Sequence, residues 1–279
     1  MIKEIKKIRN NSLDFKNLEE NHLSIQLSLD GFSFCIYNKP SNSIAVFAKF
    51  EFPNTPTPFE HLNLVKQLYS QETLLKLKYT SVNVTHLNNL ITQVPLPFFN
   101  KKNLKDYLQN TIKVLDNDYI TYDEISNSEI VNVYIPFVNI NNFLIDMYGT
   151  FIFKHSSTVL IETLLNQYKN QGEDYCFVNV SNLNFELVVL KNKKLELFNC
   201  FSFKTKEDFI YYILFTAEQL NLNPEEFNLI LLGDIEKESE LYTILYQYIR
   251  NIKFYDPKEQ KTLVNGISAH ANFTVLNQF

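Results

Sequence analysis

The sequence contains no tryptophan, only five glycines and two methionines, and three cysteines in 279 residues. Each shortage excludes something. Loops that wrap backbone amides around a phosphate need glycines close together. Gly31, Gly149, Gly172, Gly233 and Gly266 are far apart, and no Walker or dinucleotide fingerprint is present. Cys35, Cys176 and Cys200 are odd in number, lack metal-ligand spacing and sit in apolar, strand-like runs. They read as reduced core thiols of a cytoplasmic protein, without a disulfide framework. The histidines (His22, His61, His86, His155 and His270) form no pair at helical metal-binding spacing, so no metal site is expected.

Arginine is almost absent as well: Arg9 and Arg250 stand alone among 26 basic residues, and the net charge is −5. The general field and the bidentate fork that nucleic acid rewards are both missing, so no nucleic-acid partner is expected. The longest strongly apolar run, residues 209–215, is far shorter than the roughly 20 residues that span a bilayer. Residues 1–9 carry lysines but no apolar region after them, which argues against a signal peptide. Ile2, Ile5 and Ile8 fall at helical spacing there. A frayed or edge-packed terminus is favoured over a short membrane-surface helix, so membrane contact is at most peripheral.

What is present is an ordinary globular composition, 45% apolar and 20% charged, in a chain long enough for two domains. Leu23, Ile25, Leu27 and Leu29 alternate with polar residues, the period of a half-buried strand. Asp30-Gly31 then predicts a tight hairpin in which both turn residues adopt positive φ. Strands over 32–37 and 44–52, a loop over 53–58, a helix from Phe59 and a strand over 80–85 follow. The same order returns later: strands over 175–180, 185–190 and 195–203, a helix over 206–220, and a strand over 228–232 closed by Gly233-Asp234. Between the copies lie an extended segment over 94–98, a helix over 100–115 and strands over 118–124 and 129–137. A helix over 139–148, a strand over 150–154 and a helix over 156–170 complete that stretch. The expected division is an N-terminal extension 1–21, a first lobe 22–171 with a subdomain inserted at about 94–137, and a second lobe 172–279.

A three-strand meander leading to a helix and a parallel strand, used twice, resembles the duplicated ribonuclease H-like plan of the actin-like ATPases. The insertion after the first copy, with the preceding segment Val94-Pro95-Leu96-Pro97-Phe98-Phe99, is similar to the actin-like proteins of type IV pilus and type II secretion assembly. An uncharacterised bacterial family of this fold is the implied home. The resemblance implies an α/β fold of two lobes with mixed sheets and a small inserted α/β subdomain in the first half. It also implies a nucleotide site at the first hairpin of each half and after the later strand of the second.

On those family positions this sequence places Gln26 and Ser28 in the first half, Asn179 and Ser181 in the second, and Gly233-Asp234 at the adenosine position. The family's metal-organising Asp therefore falls on Gln26 and on Asn179. Neutral amides are poor ligands for Mg²⁺, which prefers carboxylates and phosphate-bound water. The expectation is a degenerate site without catalytic residues or cofactor, in a scaffold or adaptor that binds a protein partner, a second copy among the candidates. ATP and Mg²⁺ held by divergent loops is the alternative.

Other features have plainer explanations. Asp116, Asp118, Asp123 and Glu124 lack a shaping His or Gly pattern and read as solvated surface. The cysteines have no nearby histidine and read as inert. The 16 Tyr and 24 Phe include Phe209, Tyr211, Tyr212 and Phe215 on one helix and Tyr242, Tyr246 and Tyr248 on the next. Burial between layers is the first explanation, and a face presented to a partner is the second.

Overall fold

A computed structural model describes residues 2–10, 20–53, 57–182, 184–257 and 266–279. Residues 1 and 11–19 of the expected N-terminal extension, the middle of the 53–58 loop and Leu183 of the expected 181–184 turn lie outside those residues. The chain divides into two compact units. One comprises residues 1–160, 260–267 and 274–279, the other 161–259 and 268–273.

The first unit opens with strand β1 (Lys3–Arg9), so the helical spacing of Ile2, Ile5 and Ile8 does not give a helix. Backbone pairing with a neighbouring strand overrides the spacing. The meander β2 (Asn21–Ser28), β3 (Gly31–Asn38) and β4 (Ser43–Glu51) follows, with β1 antiparallel on the outer side of β4. Helix α1 (Pro58–Gln71) starts where Thr57 and Glu60 exchange side-chain and backbone hydrogen bonds, a capping box that holds the first turn. Its Val65, Leu68 and Tyr69 pack on Leu23, Ile25, Leu27, Phe32 and Phe34, the core face of the meander. Strand β5 (Ser81–Leu87) runs parallel to β2.

The insertion comes next. It holds β6 (Ile91–Pro95), a short helix α2 (Leu104–Gln109), β7 (Thr121–Glu124) and β8 (Ile130–Tyr134). These strands form their own sheet in the order β6-β8-β7 over a core of Val94, Leu108, Val131, Val133 and Ile135. The α-helix is much shorter than the expected 100–115, with one 3₁₀ turn at Leu96–Phe98 and another at Lys101–Asn103. Helix α3 (Val138–Tyr148), β9 (Ile152–His155) and α4 (Ser156–Tyr168) end this stretch.

The second unit repeats the plan with β10 (Tyr175–Ser181), β11 (Asn184–Lys191), β12 (Lys194–Ser202), helix α5 (Lys206–Gln219) and β13 (Asn228–Gly233). Helix α6 (Glu240–Tyr248) and β14 (Asn251–Phe254) follow, and α7 (Phe273–Leu276) lies near the C-terminus. Here too the helix after the meander begins with a capping box, between Thr205 and Asp208.

The strand orders make the duplication explicit. The first sheet runs β1-β4-β3-β2-β5-β9 and the second β12-β11-β10-β13-β14. Both are antiparallel through the meander and parallel beyond it. The second core joins Val178, Phe185, Leu187 and Leu231 to Phe209 and Ile213 of α5.

The first hairpin differs from expectation. Ser28 pairs directly with Gly31, so Leu29-Asp30 form the turn and Gly31 belongs to the strand. None of these residues has positive φ. Gly31 is required for another reason: a Cβ there would lie 2.8 Å from the Phe50 carbonyl oxygen. The positive-φ hairpin occurs instead at Asn192-Lys193, between β11 and β12.

Candidate functional site

The six family positions gather in two groups, one in each unit, at the carboxyl ends of parallel strands. That is where open α/β sheets place ligands. In the first unit Gln26 pairs with Ser33 on β3 and Thr85 on β5. The Ser28 hydroxyl donates to Asp30 Oδ1 at 2.7 Å and to the Gly31 carbonyl at 3.3 Å, so it serves the hairpin itself. Thr85, beside Gln26, accepts from Gln278 Nε2 at 2.9 Å, and the same amide reaches the Ile25 carbonyl at 3.4 Å. Asn83 donates to the Gln278 carbonyl. The C-terminal residues thus lie on the β2–β5 face, with Val275 and Leu276 packed on Cys35, Ile44 and Phe47.

In the second unit Asn179 is paired with Glu186 on β11 and Leu232 on β13. Its Nδ2 donates to Glu186 Oε2 at 2.8 Å. Burial pushes the Glu186 carboxyl up to about 7, against the opposing effect of the Asn179 donor. Cys200, opposite Glu186 on β12, is pushed up to about 12 by burial and by that carboxylate. Ser181 donates to the Asn184 carbonyl across the turn at 3.2 Å. Gly233 has φ +81, and a Cβ there would sit 1.9 Å from the Val180 carbonyl oxygen. Its amide donates to the His270 carbonyl at 2.8 Å, and the Asp234 amide donates to the Val180 carbonyl at 2.7 Å. Strand-end packing therefore demands glycine at 233.

The structure adds Glu186, Thr85, His270 and Gln278 to the neighbourhoods of these positions. Glu186 carries the one sequence signal that was available, a lone acid in the apolar strand Asn184–Lys191. Among the described residues no group of three or more His, Cys, Asp or Glu side chains is placed to hold a metal ion. Chemically, the second-unit group offers one buried carboxyl that is raised to about 7 and is already hydrogen-bonded. Such a group is a weak anchor for a metal–phosphate.

Asp123 departs from its expected solvated role. It accepts from the His155 amide at 2.8 Å, the Thr158 hydroxyl at 2.8 Å and the Tyr134 hydroxyl at 3.1 Å. Burial raises its carboxyl. Asn132 joins the same cluster through Thr158. These bonds tie β7 and β8 of the insertion to the β9–α4 junction, so Asp123 is a structural clamp. Asp116 is exposed as expected and paired with Lys105, whereas Asp118 is half-buried and accepts from the Leu115 amide.

The aromatic residues divide. Phe209 is fully buried, whereas Tyr211 is 59% exposed and Phe215 46% exposed on the outer face of α5. Tyr246 and Tyr248 of α6 are also exposed, as are Leu96 and Phe98 in the insertion.

These features, a ribonuclease H-like unit used twice and an inserted subdomain in the first, define an actin-like ATPase fold. The chain belongs to the family described as Protein of unknown function (DUF3822), whose model matches residues 10–252. A protein of Bacteroides thetaiotaomicron VPI-5482, described as having an actin-like ATPase fold and unknown function, is similar in structure. Its TM-score is 0.79 at 23% identity, covering 96% of this chain and 98% of that one. A PilM–PilN type IV pilus biogenesis complex matches with a TM-score of 0.60 at 11% identity, over 92% of this chain and 97% of the other. None of the curated proteins matches the chain. No helix among the described residues is long and apolar enough to cross a membrane.

Proposed function

We propose that the chain is a non-catalytic actin-like scaffold or adaptor that binds a protein partner in the cytoplasm. The observation that carries this is the Asn179–Glu186 hydrogen bond. Where the fold family has a metal-organising Asp, this chain has an amide whose donor is committed to a buried carboxyl. Gln26 likewise brings no charge, and the Ser28 hydroxyl is committed to its own hairpin. With neither carboxylate present, nothing at these positions orients a magnesium ion and its waters for phosphoryl transfer.

Partner binding is supported by the apolar groups left outside: Phe98 is 77% exposed, beside Leu96 in the inserted subdomain. The PilM–PilN structure is a complex of an actin-like protein with a second protein, a precedent for this fold as an adaptor. Reduced thiols at Cys35, Cys176 and Cys200 fit a reducing compartment.

The test is calorimetric titration of the purified chain with ATP and MgCl₂, together with a phosphate-release assay. The expected result is no binding heat and background turnover. Micromolar binding accompanied by turnover would refute the proposal and favour an ATPase with divergent loops. For the partner, co-purification from the native cell should recover a protein that Phe98→Asp loses while its melting temperature holds.

A further inference from the structure

Neighbouring strands β2 and β5 of the first unit bury one side and turn the other towards the C-terminal residues. Leu23, Ile25 and Leu27 of β2, with Val82 and Val84 of β5, belong to the core with α1. Ser24, Gln26, Asn83 and Thr85 therefore lie on the opposite face.

That face has an occupant, residues 275–279 of the same chain. The Cys35 thiol donates to the Val275 carbonyl at 3.2 Å, and Val275 and Leu276 pack on Cys35, Ile44 and Phe47. Asn83 Nδ2 donates to the Gln278 carbonyl. Gln278 Nε2 donates to the Thr85 hydroxyl at 2.9 Å and to the Ile25 carbonyl at 3.4 Å. The Phe279 ring stacks on Tyr37 at 4.5 Å between centroids.

The seat thus meets a main-chain carbonyl with an amide, a carboxamide with a hydroxyl and a backbone carbonyl, and a ring with a ring. These are the groups of a peptide. None of the side chains named on the seat, and none in residues 273–279, carries a formal charge at neutral pH. A neutral segment fits such a seat and a triphosphate does not.

Two features mark the tail as an exchangeable occupant. It adds no strand to the sheet order β1-β4-β3-β2-β5-β9, and its one regular element is the four-residue α7. Side-chain contacts hold it in place of a continuous backbone ladder. Its fit is also incomplete. Ser24 stands between Cys35 and Asn83 in the strand register, and both of those residues bond the tail. The Ser24 hydroxyl and Gln278 Oε1 are nevertheless buried without a hydrogen-bond partner. Covering polar atoms that stay unpaired costs stability and favours a better-matched occupant.

We propose that this face is a peptide-binding seat, held in cis by residues 275–279. In trans it takes a neutral segment of the adaptor's protein partner with the same pattern, two aliphatic residues followed by a carboxamide and an aromatic ring. The tail is then an autoinhibitory plug that the partner displaces. The identity of the occupant rests on the adaptor reading, whereas the seat itself does not.

The probe is a fluorescent, N-acetylated peptide of residues 273–279, titrated by anisotropy against up to about 100 μM of protein. The proteins are the full chain and its Gln278→Ala, Phe279→Ala double variant. A tethered tail competes at high effective concentration, so the variant should bind the peptide about tenfold or more tighter than the wild type does. A peptide with the same two alanines should bind neither chain. Absence of binding to the folded variant overturns the proposal, as does equal affinity for the two chains or for the two peptides. Hydrogen exchange of the wild type decides the matter if the variant does not fold. Amides of residues 275–279 should exchange about tenfold or more faster than those of β2, and exchange at the β2 rate would show that the tail leaves only on global unfolding. A co-purified partner that the peptide cannot displace would refute this seat and leave the adaptor reading standing.

Discussion

Asn179 and Glu186 face each other across the first hairpin of the second unit, with the amide nitrogen 2.8 Å from a carboxylate oxygen. An Asp at 179 would set two carboxylates side by side in a buried position, and like charges there are strongly disfavoured. The Asn supplies a donor instead, which lets an acid remain inside the sheet. Loss of charge at one family position and burial of charge at its neighbour are thus one arrangement.

Glu186 gives a pH signature. Its carboxyl titrates near 4.5 in an exposed setting and at about 7 in the folded chain. Between those values the folded chain keeps a proton that the unfolded chain has released. The stability it contributes is full below pH 4.5 and is lost as pH rises through 7. Glu186→Gln removes that loss while keeping an acceptor for Asn179. Melting curves should show the variant more stable than wild type at pH 8, by up to about 3 kcal/mol, and similar at pH 4.5. Equal stability at both pH values would show that Glu186 is charged when folded.

Two buried histidines act in the opposite direction. Burial lowers His86 to about 3 and His155 to about 4 from 6.5. His86 Nδ1 accepts from the Phe137 amide, and His155 bonds to Ser157 and to the Asn88 carbonyl. Their neutral forms match these sites, so stability is full above pH 6.5 and is lost as pH falls towards 4 and 3. Urea midpoints should drop from pH 6.5 to pH 4, with each histidine contributing about 3–5 kcal/mol over its full titration. A flat profile across that window would mean that both rings protonate without hindrance.

Gly233→Ala tests the packing account of that glycine. The new methyl group would meet the Val180 carbonyl at 1.9 Å, in a backbone region with φ +81 that L residues rarely adopt. Backbone, unlike a flexible side chain, cannot step aside, so the variant should lose about 3 kcal/mol or more in chemical denaturation. A loss below about 1 kcal/mol would show that the ends of β10 and β13 can separate.

Lys7 offers a test of the N-terminal strand. Its ammonium contacts both Glu72 oxygens, at 2.7 and 2.8 Å, and the Glu72 side chain is only 10% exposed. Lys7→Met strands a mostly buried carboxylate and should cost about 1–3 kcal/mol in denaturant unfolding. Adding Glu72→Gln should recover most of it, because the unpaired charge, and not the missing attraction, dominates the loss. If the double variant is no better than the single, the charge of Glu72 is harmless.

Much of this fold was legible along the chain. The alternation in residues 23–29, the order of strands and helices in both halves, and the insertion between them all rest on local periodicity. Each strand's core face is written into its own residues. The choice of Gln26, Asn179 and Gly233 came from the family resemblance laid on that repeated order. The turn at Leu29-Asp30 was misplaced because Asp-Gly suits a positive-φ hairpin, whereas here the close approach of the Phe50 carbonyl decides where glycine goes. The helix spacing of Ile2, Ile5 and Ile8 yielded to pairing with β4, since a short helix has little stability of its own.

The sequence by itself determined that this is a duplicated α/β chain poor in the charges and glycines that a triphosphate site requires. Tertiary structure alone decided which groups meet across strands: Asn179 with Glu186, Asp123 with His155 and Thr158, and Gln278 with Thr85. It also decided that β1 covers the outer side of β4. The physical reason is that periodicity is encoded in neighbouring residues, whereas register, burial of a lone charge and the pairing of a sheet edge depend on residues far away in the chain.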